Sequence, residues 1–172
     1  MDISIINAAE TNGDVGIIIG DKDAKKTLVE FINLRCPYCR QWFLDHEKLL
    51  EKEVASGNLK RVIKLYNKDK ESLQRGNVMH QYVTKGDEKK ALADIKKIFL
   101  SQDLWGDLSL EAVAKFAEED LKLENYTDEL TQKAIVTEAQ RANIQFVPTM
   151  ILNDHIFDES ISAETLLAYL NE

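Results

Sequence analysis

The run Leu28-Val29-Glu30-Phe31-Ile32-Asn33-Leu34 leads, two residues on, into Cys36-Pro37-Tyr38-Cys39, and no other segment constrains the fold as much. The run is apolar and β-favouring almost throughout, the pattern of a central strand buried on both faces. After the cysteines the period changes. Trp42, Phe43, Leu49, Leu50 and Val54 recur at helical spacing, Asp45, Glu47, Lys48 and Glu51 fall largely on the other side, and Gly57 supplies a stop. A further strand is predicted from Leu59 to Tyr66. Ser4 to Ile6 is a short strand candidate ahead of a polar, Gly-containing stretch through Asp23. The resulting order of strand, strand, helix, strand predicts a βαβ unit with a parallel crossover.

From about Ser72 to Ala142 the pattern is helical throughout. Gly86 and Trp105-Gly106 interrupt it, Ser109 and Thr127 are candidate N-caps, and Asn143 is a candidate left-handed C-cap with Ile144 as its apolar partner. Strand character then returns. Pro148 precedes Thr149-Met150-Ile151-Leu152, Asn153-Asp154 forms a turn, and His155-Ile156-Phe157 completes a hairpin. Ser162 caps a last helix, with Ile161 and Leu166 spaced for a hydrophobic staple. The expectation is one α/β domain made of residues 1–71 and 143–172, interrupted by an all-helical insertion, 72–142.

Two cysteines separated by two residues, at the start of a helix just after a strand, make a chemical site. The first sulfur lies where unpaired backbone N–H groups and the helix dipole favour an anion. Cys36 is therefore the expected nucleophile, since only a thiolate attacks, and Cys39, one turn deeper, the resolving thiol. Pro37 suits the first helical turn, where its missing N–H has no partner to lose. Arg35 and Arg40 flank the pair and add positive potential. A structural zinc site needs four ligands; there is no third cysteine, and His46, His80 and His155 are scattered. A structural disulfide here would close a tiny loop and constrain little. Glu30 stands in an apolar strand on the face of Leu28 and Ile32, where a charge is costly unless useful or paired. Two readings stay open for it: proton exchange with buried Cys39, or a structural carboxylate, paired with a nearby lysine or exposed by strand geometry.

The formal net charge of −8 argues against a nucleic-acid partner, and no run of apolar residues reaches membrane-spanning length. The N-terminus has neither a basic region nor a long apolar segment of the signal-peptide kind, which predicts a cytoplasmic protein; a leader removed beforehand would place it outside the cytoplasm instead.

On these residues the chain resembles the thioredoxin superfamily, and within it the DsbA-like thiol–disulfide oxidoreductases. The matching pieces are the strand with its Glu30-Phe31 pair, Cys36-Pro37-Tyr38-Cys39 opening a helix, and Val147-Pro148-Thr149 opening a late strand. The resemblance implies a thioredoxin-like fold, a central mixed sheet flanked by helices, with a helical insertion. It implies a cis Pro148 against the active-site pair, Val147 offering backbone hydrogen bonds to an extended substrate, and Glu30 serving proton transfer at Cys39. Pro37 and Tyr38 complete the substrate-facing surface. The implied partners are cysteine-containing protein substrates and a thiol redox partner of the thioredoxin or glutathione system. No cofactor beyond the Cys36–Cys39 disulfide and no metal is implied.

Glutaredoxins often carry the same tetrapeptide but are shorter and lack the helical block. Many oxidising DsbA-like enzymes have a histidine where Tyr38 stands; tyrosine brings no positive charge, which argues against strong oxidising power. Two other readings are a glutathione-linked enzyme, glutaredoxin-like or of the kappa transferase type, and a redox-independent peptide-binding or chaperone module.

Overall fold

Strand β2 (Lys26–Ile32) lies in the middle of a five-stranded sheet in the computed structural model, which describes residues 1–172. It pairs in parallel with β3 (Leu59–Leu65) and antiparallel with β4 (Thr149–Leu152). β4 turns through Asn153, in left-handed conformation, into β5 (His155–Phe157), and β1 (Ile17–Ile19) lies antiparallel on the outer edge of β3. The predicted parallel crossover between β2 and β3 is present. It comprises two helices, α1 (Pro37–Asp45) and α2 (Glu47–Ala55), where periodicity predicts one. The break is His46, which leaves helical dihedrals while its ring packs on Trp42 at 4.6 Å between centroids.

Two boundaries differ from the sequence pattern for clear reasons. β2 ends at Ile32 because Asn33 and Leu34 turn out of the sheet toward the cysteines. The first strand is not Ser4–Ile6: Ile3–Ile5 is a 3-10 turn, closed by the Asp2 carboxylate accepting the Ser4 N–H at 3.0 Å. The edge strand is instead Ile17–Ile19, set between Gly16 and Gly20. Both glycines have positive φ, and a Cβ on either would lie 2.7 Å from a β3 carbonyl, of Ile63 or Leu59. Glycine is what allows so short a strand to approach β3 this closely.

The alternation of β2 supplies two cores. Leu28 and Ile32 face Trp42, Phe43, Met150 and Leu152, while Val29 and Phe31 face Tyr66, Ile135 and Ala139 on the other side. Each such large side chain, fully buried, stabilises the fold by about 1.5–3 kcal/mol.

Between β3 and β4 the chain forms α3 (Gln74–His80), α4 (Glu88–Leu100), α5 (Gln102–Trp105), α6 (Leu110–Glu119) and α7 (Glu129–Arg141). Ser109 caps α6 as its sequence suggests. The cap of α7 is Asp128, not Thr127, because the Asp128 carboxylate accepts both the N–H and the hydroxyl of Thr131. Asn143, with positive φ, ends α7, and the N–H of Ile144 reaches back to the Ala139 carbonyl at 2.8 Å. Phe99, Trp105 and Val113 of these helices join the core of Leu28 and Trp42, so insertion and sheet share one apolar interior. Ser162 caps the last helix, α8 (Ala163–Leu170), and Ile161 and Leu166 both pack into that core. No helix is long and apolar enough to cross a membrane.

Candidate active site

Cys36 is the N-cap of α1 and Pro37 its first residue, so the first sulfur stands at the open end of the helix. Both thiols are free. Cys39, one turn in, is fully buried, whereas Cys36 keeps 6% of its surface open. The Cys36 thiol donates to the carbonyl of Val147 at 3.5 Å, and Cys39 Sγ accepts the N–H of Asn33 at 3.4 Å.

These surroundings drive the two acidities apart. The Cys39 thiol hydrogen-bonded to Cys36 is the main cause that brings Cys36 down to about 7. Burial opposes this, the backbone N–H groups of Cys39 and Tyr38 add to the lowering, and the Glu159 carboxylate works against it. Cys39 is pushed well above the ordinary thiol value, first by burial and then by Cys36, with the Asn33 N–H acting the other way. One thiol is therefore prepared as a thiolate near neutral pH and the other is held protonated. Arg35 and Arg40 are both paired with exposed carboxylates. Arg35 donates to the Gly106 carbonyl at 2.7 Å and pairs with Asp107 at 3.1 Å, and Arg40 pairs with Asp103 at 3.3 Å, all on the inserted helices' side.

The loop between β2 and α1 is held from the insertion. Asn33, fully buried, donates from Nδ2 to the Tyr66 carbonyl and to Asn77 Oδ1, both at 3.1 Å, and its Oδ1 accepts the Arg35 N–H at 2.9 Å. The Leu34 N–H donates to His80 Nε2 at 3.1 Å, and Gln102 Nε2 donates to the Leu34 carbonyl at 2.9 Å. The site also includes Gly76, whose missing side chain lets α3 close on Asn33. Sequence reasoning assigns none of these residues to the site. One signal is present: His80 shares a helical face with buried Gly76 and Met79, and Gln102 lies one turn before buried Trp105. A polar side chain on an apolar face asks for a partner.

Glu30 is fully buried and paired, as one of its two readings has it, with arginine in place of lysine. Arg61 grips it through two hydrogen bonds of 2.8 and 2.9 Å, and the Trp42 indole N–H donates to it at 2.8 Å. No hydrogen bond joins Glu30 to either cysteine.

Val147 lies against Cys36 from the far end of the chain, its carbonyl accepting the thiol, and the Val147–Pro148 bond that follows is cis. The Val147 N–H makes no hydrogen bond within the chain. A groove of about 650 Å³ opens beside Cys36, between Tyr38, Tyr66, Leu73, Val136 and Phe146, with Lys68 on its wall. Tyr38 and Phe146 are more than half exposed at its rim.

A family model described as thioredoxin matches residues 12–172. No curated protein matches the chain. Among solved structures, a conserved protein of unknown function from Enterococcus faecalis V583 is 48% identical and superposes with a TM-score of 0.99, over 100% of this chain and 98% of that one. BdbD from Bacillus subtilis, in its oxidised form, is 18% identical, with a TM-score of 0.64 over 94% of this chain and 100% of its own. The catalytic domain of Proteus mirabilis ScsC is 23% identical, with a TM-score of 0.68 over 94% and 89%. The last two likenesses concern the fold alone. With its parallel β2–β3 crossover, its cysteine pair at the start of α1 and a helical block set between β3 and β4, the chain belongs to the thioredoxin superfamily and has the DsbA-like form of its fold.

Proposed function

We propose that this protein is a thiol–disulfide oxidoreductase acting on cysteine-containing protein substrates. The observation that carries the reading is the split acidity of one cysteine pair: Cys36 lowered to about 7 at a helix start, Cys39 raised and buried one turn away. In the reducing direction, the Cys36 thiolate attacks one sulfur of a substrate disulfide. A Cys36–substrate disulfide forms and the other substrate sulfur leaves as a thiolate. Cys39 then gives up its proton and attacks Cys36 Sγ, releasing the second substrate thiol and leaving the Cys36–Cys39 disulfide. A thiol partner of the thioredoxin or glutathione type returns the pair to dithiol; run backwards, the same steps oxidise a substrate.

The direction that fits the site better is reduction or isomerisation. The nucleophile of thioredoxin titrates at about 7 and that of the strong oxidant DsbA at about 3.5, and Cys36 lies at about 7. Tyr38 adds no positive charge to lower it further.

Substrate capture is assigned to the groove and to Val147. Its free N–H, next to Pro148 and Cys36, suits main-chain pairing with an extended segment, while Tyr38 and Phe146 offer apolar contact. Pro37 shapes the helix start that presents Cys36. Glu30 enters as the carboxylate that holds Trp42, and with it α1, over the sheet. Residues 1–71 and 143–172 carry the exchange chemistry in this reading, and 72–142 is the insertion that braces it.

The test is a trapping experiment with the full chain and a disulfide-bonded protein substrate. Cys39→Ser accumulates a covalent complex through Cys36 that dithiothreitol releases, and Cys36→Ser forms none. Trapping by neither variant, with wild type also inert, sinks the reading.

A further inference from the structure

Leu34 is fully buried and lies beyond the end of β2, so its peptide groups have no ladder partner. Buried backbone N–H and C=O groups nevertheless require partners. Both come from side chains of the insertion, on different helices. His80 of α3 accepts the Leu34 N–H, and Gln102 of α5 donates to the Leu34 carbonyl and, at 3.4 Å, to that of Cys36. Both side chains are buried although polar: His80 is 6% and Gln102 1% exposed. His80 can accept at Nε2 only with its proton on Nδ1, which lies 2.6 Å from Asn67 Oδ1 and donates there. Burial pushes His80 down to about 3, so the accepting nitrogen stays unprotonated at neutral pH.

Resting on the exchange reading above, we infer that His80 and Gln102 are positioning residues for that chemistry, clamping the Leu34–Cys36 backbone and so fixing where Cys36 Sγ stands as N-cap of α1. Neither residue touches a sulfur or a substrate. Their effect is on the geometry at the start of α1, and hence on how far the Cys36 thiolate is stabilised over the thiol. Loosening the clamp lets Cys36 drift back toward ordinary thiol acidity. The dithiol form then loses stability relative to the disulfide.

The experiment compares wild type with His80→Leu, which removes the acceptor, and His80→Gln, whose amide oxygen reaches the Leu34 N–H from a similar position. Two quantities are read: the midpoint of Cys36 alkylation against pH, and the dithiol–disulfide equilibrium in glutathione buffers. His80→Leu is expected to raise the midpoint by about half a unit and, in buffers at about pH 9 where Cys36 is ionised in both proteins, to shift the equilibrium about threefold toward disulfide; His80→Gln recovers most of both. The inference is overturned if His80→Leu leaves the midpoint unchanged, even where it lowers stability, or if His80→Gln shifts it as far as His80→Leu does. Should His80→Leu fail to fold, Gln102→Met opens the other side of the clamp, with the same shift expected and an unchanged midpoint overturning the inference. A wild type that does not equilibrate with glutathione counts against the exchange reading itself, and the alkylation midpoints then still decide the role of His80.

Discussion

Replacing Gly76 with alanine should reverse the usual order of helix preference. Inside a helix, alanine is favoured over glycine by about 0.8–1.0 kcal/mol. At Gly76 the added Cβ would lie 1.9 Å from Asn33 Oδ1, 2.8 Å from Asn33 Cγ and 2.6 Å from the Arg35 nitrogen. The Asn33 side chain cannot simply swing away, because it holds Tyr66, Asn77 and the Arg35 N–H at 3.1, 3.1 and 2.9 Å. Relieving the overlap either breaks these bonds, at about 1 kcal/mol each, or lifts α3 and His80 off the loop. Setting about 3 kcal/mol of lost bonds against about 1 kcal/mol of propensity leaves a net loss of about 2 kcal/mol. Urea unfolding of the dithiol protein, followed by circular dichroism, measures this as a lower midpoint at unchanged slope. A Gly76→Ala protein as stable as wild type, or more so, refutes the claim that α3 and the active-site loop are locked together.

The other predictions concern charge. Arg61→Met leaves the Glu30 carboxylate buried with only Trp42 as partner and costs about 3–5 kcal/mol, whereas Glu30→Leu/Arg61→Met recovers most of that loss; a single-variant loss below about 1 kcal/mol in denaturant titration contradicts the pairing. The dithiol protein should gain stability over the disulfide form as pH rises from 7 to 9. Cys36 is depressed to about 7 from an unfolded value of 9.0, so its contribution is complete above 9 and is lost as pH falls through 7. Cys39, raised above 9.0, works oppositely and removes stability only at higher pH. Each unit of the Cys36 shift corresponds to about 1.4 kcal/mol at most, and unfolding midpoints of the two forms across this range test the sign. Glu159→Gln removes a carboxylate that opposes the Cys36 thiolate and lowers the alkylation midpoint by a few tenths of a unit; a raised midpoint contradicts the assigned sign.

Features legible in the sequence are local, and those that escape it are long-range. The β2 run, the helix opening at Pro37, the Asn153 hairpin and the caps at Ser109, Ser162 and Asn143 each depend on a few neighbouring residues. All are found within a residue or two of their expected places. Ile17–Ile19 is hidden because three residues between glycines carry too little periodicity, and its strand character comes from β3 alongside it. The Ser4–Ile6 expectation fails for the converse reason: a β-favouring triplet without a partner strand closes instead on the Asp2 carboxylate. At the site, Cys36 and Cys39 announce themselves by spacing. Sequence places Arg35 and Arg40 near the thiolate but does not reveal that they pair with Asp107 and Asp103. His80, Gln102 and Glu159 act from positions far from Cys36 in the chain. Nothing in their own neighbourhoods reveals which backbone group or sulfur they face.

The most direct test of the exchange reading is the equilibrium of the Cys36/Cys39 pair with glutathione buffers, read by alkylating free thiols and weighing the intact protein. A single reversible transition is expected in which both thiols are lost together, absent in Cys36→Ser, with a potential nearer to about −270 mV than to about −120 mV. Thiols that remain free in oxidising buffer, or that are modified independently of one another, would contradict it.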